Sequence, residues 1–115
     1  MEHTLTEEAG VKIVRLRGPM DVSRAMELRD LLGRLIDGPS ARVLVDLAEV
    51  TLIDSSGVGL FVTAHRTADS VGARFGLAAA GGSVGRVFEL TRTDRLLRIF
   101  PSVAEGVGAL SGDAG

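Results

Sequence analysis

The chain is predicted to fold as an α/β domain in which a mixed sheet of four to five strands carries about four helices. Strand-like and helical patterns alternate along its 115 residues in the order β-β-α-β-α-β-α-β-α. Residues 42–47 are almost continuously apolar and β-branched, which is typical of a strand covered on both faces. The length suits one domain, and because there is no cysteine, its stability must come from a packed core rather than from disulfides.

The first predicted elements are two strands joined by a turn. Residues 4–8 form a short edge strand, and residues 11–17 form a β-rich strand with a partial period of two. Ala9-Gly10 provides the turn between them, and Gly18-Pro19 ends the second strand. The sheet is therefore expected to begin with a hairpin.

A helical pattern follows, in which apolar residues recur on one face. Either Asp21 or Ser23 can act as its N-cap. Asp37-Gly38-Pro39 ends the helix, since Gly after the last turn and then Pro is the expected order at a helix stop. The apolar face consists of Ala25, Leu28, Leu32 and Leu35, with Leu31 and Ile36 beside it.

The third strand, residues 42–47, leads through a short connection, residues 48–53, to Asp54-Ser55-Ser56-Gly57. A second helix begins there and runs to about Ser70, and Gly72 follows as its C-terminal stop. At 100° per residue the helix has one broad core-facing arc. That arc consists of Leu60, Phe61, Ala64, Ala68 and Val71.

The last third of the chain repeats the alternation with shorter elements. Residues 74–79 form a strand, Ser83 caps a short helix that ends at Leu90, and residues 96–100 form the last strand. A capping box of Ser102 and Glu105 opens a final helix. Residues 1–110 are expected to form the single domain, with residues 111–115 as a disordered tail.

The charge balance excludes several classes of partner. Thirteen basic and fifteen acidic residues give a net charge of −2, and four Phe without Trp or Tyr offer little for base stacking. No nucleic-acid binding is therefore expected. No apolar run is long enough to cross a membrane, and the first residues have neither the basic start nor the apolar core of a signal peptide. We expect a cytoplasmic protein without membrane contact.

Motifs for catalysis are missing, so the chain is not expected to be an enzyme or to bind a cofactor. The only histidines, His3 and His65, lack metal-ligand spacing. No nucleophile elbow surrounds Ser55 or Ser56, and no phosphate-binding or dinucleotide-binding fingerprint is present. The glycines of Gly57-Val58-Gly59 are better explained by tight turns and close contacts than by phosphate binding.

The segment from Asp54 to Gly59 is the most informative part of the sequence. It follows a buried strand and opens a helix, so the hydroxyls of Ser55 and Ser56 lie near free amides and the positive end of the helix dipole. One interpretation is that Asp54, Ser55 or Ser56 is only an N-cap. The other is that one serine accepts a phosphate, which the helix amides would hold.

Two further clues lie near this segment. Val58 and Val62 fall at the edge of the core-facing arc, so they are either rim residues of the core or apolar contacts for a partner. Asp21 caps the first helix, or places a carboxylate at the same end of the sheet as Asp54.

These residues resemble the STAS domain family, and most closely its small, free-standing anti-sigma factor antagonists. The resemblance rests on Gly18-x-x-Asp21, on Val43-Leu44-Val45-Asp46-Leu47, and on the segment from Ile53 to Gly59. It covers about residues 11–110 and implies a four- to five-stranded mixed sheet with the helices on one side. Two positions depart from the family pattern. Pro19 stands where an acidic residue is usual, and Arg92 where many relatives have Gly.

The resemblance also implies a function and a site. It implies a monomer that binds an anti-sigma factor serine kinase, releases a sigma factor, loses affinity when Ser55 is phosphorylated, and is restored by a phosphoserine phosphatase. Together with the pattern on the second helix, it predicts that the partner-binding residues are Asp21, Asp54, Ser56, Gly57, Val58 and Val62. Two alternatives stay open: a STAS scaffold in another signalling assembly, and a ligand- or nucleotide-binding module.

Overall fold

The computed structural model describes residues 3–112, which form a five-stranded sheet in the order β1-β2-β3-β4-β5. The strands are β1 (His3–Glu8), β2 (Val11–Met20), β3 (Arg42–Ile53), β4 (Arg74–Ala78) and β5 (Ile99–Phe100). The helices are α1 (Val22–Leu35), α2 (Ser55–Val71), α3 (Gly82–Leu90) and α4 (Val103–Ser111), with a 3-10 turn at Thr93–Arg95. Strand β1 runs antiparallel to β2, and the remaining neighbours are parallel. The predicted mixed α/β fold is confirmed.

The helices cover both faces of the sheet, whereas the resemblance implied one side only. Val14 and Leu16 of β2 lie in the core formed with α1, α2 and α3. Val11 and Ile13, which alternate with them, lie in a second core with Val107 of α4. Because successive strand residues point to opposite faces, α4 packs on the face away from the other three helices. The apolar residues of that face need this cover.

The C-terminal end of α4 is fixed by two arginines that are neighbours on β3 and β4. Arg42 Nη1 donates to the Ser111 carbonyl at 2.9 Å, and Arg74 Nη1 donates to the Leu110 carbonyl at 2.9 Å. Arg74 also donates to the carbonyl of Gly112. These carbonyls have no intrahelical partner, and the helix dipole places partial negative charge there. The two guanidinium groups therefore attach α4 to the sheet.

Strand β3 is longer than predicted, because the connection predicted over residues 48–53 is part of the strand. Strand β2 likewise continues through Gly18-Pro19 to Met20. Pro19 does not end the strand, because a proline stops a strand only where its missing N–H would join the ladder. Gly18 has a φ of 87°, a conformation that glycine adopts readily at a bulge. The two extended ends bring Met20 and Ile53 opposite each other.

Several other boundaries also differ from the sequence-based expectation. Gly81, not Ser83, is the N-cap of α3. Strand β5 is only two residues long, because residues 93–95 form a 3-10 turn and residues 96–97 are a turn and a bend. Val71 is exposed, since it lies in the last turn of α2 beyond the sheet-facing arc. Ser111 ends α4 and Gly112 caps it, and residues 113–115 of the expected tail lie outside the described residues.

Candidate functional site

The N-termini of α1 and α2 lie side by side at one edge of the sheet. Asp21 caps α1 and Asp54 caps α2. Since β2 and β3 are parallel neighbours, their carboxyl ends meet at this edge. The backbone N–H of Asp54 donates to the carbonyl of Met20 at 3.4 Å. The structure thus brings the two predicted carboxylates together.

Asp54 alone caps α2, which leaves the two serines available. Its Oδ1 accepts hydrogen bonds from the backbone N–H of Ser56 at 2.9 Å and of Gly57 at 3.2 Å. Ser55 is the first residue of the helix and is exposed, whereas Ser56 is half-buried. Within residues 3–112 neither serine hydroxyl makes a hydrogen bond. Of the possible caps, the geometry therefore selects Asp54.

Asp21 is the N-cap of α1 and its carboxylate is held by two donors. Oδ1 accepts the backbone N–H of Arg24 at 3.0 Å and the hydroxyl of Ser23 at 2.9 Å. These hydrogen bonds, of which the one from the Arg24 N–H has the larger effect, hold the pKa of Asp21 below its usual value. Asp21, rather than Ser23, is therefore the cap, and it presents a negative charge at neutral pH.

Gly57 and Val58 are buried in the first turn of α2. A Cβ on Gly57 would lie 2.7 Å from Cγ1 of Ile53 and 3.5 Å from Cβ of Met20, so only glycine lets the helix approach the strand ends. Val58 is 6% exposed and belongs to the core. Val62 is half-buried against the same core. In the free chain, the core interpretation applies to Val58.

Two bulges in β3 determine where Asp54 lies. Arg15 pairs with Asp46 and Arg17 with Glu49, so β3 has one residue more than β2 between these two pairs. A second extra residue lies in β3 just before Leu52, which pairs with Pro19. The side chain of Asp46 is buried and accepts two hydrogen bonds. Nε of Arg15 donates to its Oδ2 at 3.0 Å, and the backbone N–H of Ala48 donates to its Oδ1 at 3.0 Å.

Asp46 therefore stabilises the first bulge with a paired, hydrogen-bonded charge. Sequence reasoning missed this positioning role. The available signal was a single carboxylate inside an otherwise apolar strand.

Exposed apolar side chains surround the two caps, and the sequence pattern did not reveal them. Val22 and Met26 on α1 are 59% and 58% exposed, and Leu52 on β3 is 52% exposed. A shallow groove of about 220 Å³ lies between α1 and α2 and reaches Ser56. Apolar surface gathered beside polar caps is typical of a protein-binding site.

The remaining candidate residues do not form a catalytic or metal site. His65 is half-buried and has Asp69 one turn later, with 3.7 Å between Nε2 and Oδ2. His3 lies at the start of β1. Among residues 3–112 no three His, Asp or Glu side chains are grouped closely enough to hold a metal ion. The helices of that range are all too short or too polar to span a bilayer.

Comparison with known proteins gives a consistent result. A family model described as the STAS domain matches residues 3–106. The anti-sigma-F factor antagonist RsfB of Mycobacterium tuberculosis is 27% identical over 111 residues, which is 95% of this chain and 88% of RsfB. A Thermotoga neapolitana protein named as a homologue of TM1081 is 31% identical over 71 residues, which is 62% of this chain and 63% of that protein.

The fold agrees with a solved structure as well. SpoIIAA in its unphosphorylated form superposes with a TM-score of 0.78 at 20% identity, and the match covers 99% of this chain and all of that one. At this identity the superposition concerns the fold alone. Since the family model spans almost all the described residues, the chain belongs to the STAS domain family.

Proposed function

We propose that this chain is an anti-sigma factor antagonist whose binding is controlled by phosphorylation of Ser55. The observation that carries the proposal is that Asp54 performs the capping of α2, so the exposed Ser55 hydroxyl has no structural task within the described residues. The relatives named as anti-sigma factor antagonists support the class of partner. In this proposal the unphosphorylated chain binds an anti-sigma factor and frees the sigma factor.

The partner supplies the chemistry. An anti-sigma factor with serine kinase activity transfers the γ-phosphoryl group of ATP to Oγ of Ser55, and the hydroxyl proton leaves as ADP is released. The chain then needs no catalytic residue of its own. A cytoplasmic phosphoserine phosphatase reverses the modification by hydrolysis. As the substrate of the kinase, this chain has to present an accessible hydroxyl, and Ser55 is exposed.

Phosphorylation weakens the complex through like charge. The phosphate adds about −1.5 to −2 charges next to the carboxylates of Asp21 and Asp54. In a desolvated interface such a juxtaposition costs about 3 kcal/mol, or roughly a hundredfold in Kd. The fold itself stays intact, because Ser55 takes no part in capping α2, where Asp54 accepts the N–H groups of Ser56 and Gly57.

The partner-binding residues divide into two groups by burial. Asp21, Asp54 and Ser56 reach the surface at the strand ends, and Val62 lies half-buried on α2. The remaining two, Gly57 and Val58, are buried, so in this proposal they act by holding the first turn of α2 against the sheet. We add Val22 and Met26, whose exposed side chains border the groove beside Ser56.

The test is a comparison of wild type, Ser55→Ala and Ser55→Asp as tagged baits in a native lysate, followed by phosphorylation with the purified kinase. An anti-sigma factor kinase is expected to bind wild type and Ser55→Ala but to lose affinity for Ser55→Asp. Only chains that keep Ser55, including the control Ser56→Ala, should take up phosphate. Phosphate on Ser56 alone, or equal binding by all baits, would contradict the proposal and favour a scaffold or ligand-binding role.

A further inference from the structure

We propose that Pro19 and Leu52 form an apolar contact patch through which the anti-sigma factor is recognised. The proposal rests on the proposed function and adds a second face to its interface, on the side of the sheet opposite α1 and α2. The patch binds an apolar side chain of the partner that has a basic group next to it. It thereby contributes to the choice of partner.

The two residues lie directly opposite each other where β2 and β3 end. Pro19 and Leu52 are Cα partners in the ladder, and the next pair along is Met20 and Ile53. Met20 and Ile53 are buried against the helices α1 and α2. Since neighbouring strand residues point to opposite faces, Pro19 and Leu52 face the other way, where both are exposed.

No other element covers this end of the sheet in the described chain. Strand β4 pairs with β3 only from Arg42 to Asp46, so β3 has no neighbour on that side at Leu52. Helix α4 packs on the same face but on residues nearer the start of the strands, such as Val11 and Leu44. Leu52 consequently keeps 52% of its surface open to water.

The position of the patch identifies its occupant. Pro19 lies two residues before Asp21, and Leu52 two residues before Asp54, so a carboxylate follows the patch on each strand. A partner that covers Ser55 therefore meets apolar surface and negative charge together. The complementary surface is an apolar side chain with a Lys or Arg beside it. An acidic partner surface would be repelled by these carboxylates.

The matched experiment compares Leu52→Lys with Leu90→Lys. Leu90 is more exposed, at 70%, and lies at the C-terminal end of α3, away from both caps. The probe is the purified anti-sigma factor kinase identified with wild type. Leu52→Lys is expected to raise its Kd roughly tenfold or more and to raise the KM for phosphorylation of Ser55 while kcat changes little. Leu90→Lys should change neither by more than about twofold.

Two further variants separate contact from stability. Leu52→Met, which keeps an apolar side chain of similar size, should bind like wild type. Thermal unfolding should show that all three variants fold, because both leucines are largely outside the core. Higher salt should weaken wild-type binding, since the flanking carboxylates take part.

The outcomes distinguish the two proposals. If wild type binds the kinase and accepts phosphate on Ser55 but Leu52→Lys binds equally well, the patch is refuted and the proposed function stands. Equal weakening by Leu52→Lys and Leu90→Lys would also refute it, because the effect would be one of net charge. If wild type binds no anti-sigma factor, both proposals fail.

Discussion

The roles of neighbouring residues are clearly separated at the start of α2. Asp54 accepts two backbone N–H groups, Gly57 allows close packing on Ile53, and the exposed Ser55 takes no part in either. A residue that combined capping with phosphate acceptance would lose its hydrogen bonds on modification. Because the cap is the preceding aspartate, a change at Ser55 leaves the helix start in place.

Asp21 should make stability depend on pH in the acid range. Its pKa is lowered in the folded chain by the Arg24 N–H and the Ser23 hydroxyl. A lowered folded-state pKa contributes stability above the unfolded value of about 4, and this is lost as pH falls through the folded value. We therefore expect Asp21→Asn to lower Tm at pH 6 and the difference from wild type to shrink below about pH 4. A difference that is independent of pH in thermal unfolding would contradict this.

Arg92 is in a backbone conformation that suits glycine. Its φ is 60°, and its side chain makes no capping hydrogen bond. The left-handed region costs a non-glycine residue about 1–2 kcal/mol, part of which is offset by the greater freedom of Gly in the unfolded chain. Arg92→Gly should therefore raise the free energy of unfolding by about 0.5–1 kcal/mol. The control Arg95→Gly, which lies in the 3-10 turn without a positive φ, should not stabilise the chain in the same denaturation experiment.

At the residue scale, the sequence located the caps better than the exposed surface. Cap residues follow from local chemistry, so Ser102 could be predicted, and Asp21 and Asp54 were each among the candidates that the sequence left open. The cap predicted at Ser83 was wrong, since Gly81 takes that place. The exposure of Leu52 could not, since it depends on two bulges in β3. The burial of Val58 was equally open, because a helix-rim position is decided by how closely the sheet approaches.

At the level of elements, two glycines of α4 have different surroundings. A Cβ on Gly106 would lie 2.8 Å from Cδ1 of Leu44 and 3.2 Å from Cδ2 of Phe100, whereas a Cβ on Gly108 would meet nothing within 4 Å. Gly108→Ala should stabilise the chain by about 0.5–1 kcal/mol through helix propensity. Gly106→Ala has the same propensity gain but crowds the core, so it should be less stable than Gly108→Ala by about 1 kcal/mol or more. Equal stabilities on urea denaturation would show that α4 can shift outwards.

The elements themselves were largely predictable, and their ends were not. Periodic apolar residues identified α1, α2 and the strands, since long regular patterns reflect one buried face. Strand β3 was cut short at residue 47 because its last residues, 48–53, contain bulges that break the period of two. The short β5 was overestimated because an apolar run does not distinguish a strand from a buried turn.

For the molecule as a whole, the sheet separates two cores. The larger core lies under α1, α2 and α3, and the smaller one lies under α4. Membership of α4 in the opposite layer was not visible in the sequence, because its apolar stripe fits either face. The site at the strand ends belongs to the larger core, so the smaller one can change without moving it.

This separation predicts that α4 can open on its own. Arg42→Gln combined with Arg74→Gln removes the guanidinium groups that hold the last carbonyls of α4. We expect the free energy of local opening to fall by about 2 kcal/mol, which corresponds to roughly 30-fold faster hydrogen exchange in α4. Amides of α2 should keep their exchange rates. Equal acceleration in α2 would show that the two cores open together.

The one-sided bonding of β3 also has a mechanical consequence. Past Asp46, the described strand is hydrogen-bonded to β2 alone, and it carries Ser55 at its end. Measured from the first bulge, residues 48–54 form an arm about 20 Å long at 3.3 Å per residue. A rotation of about 5° at that point displaces the Ser55 end by about 2 Å. Small adjustments around Ala48 thus become large ones at the far end of the arm.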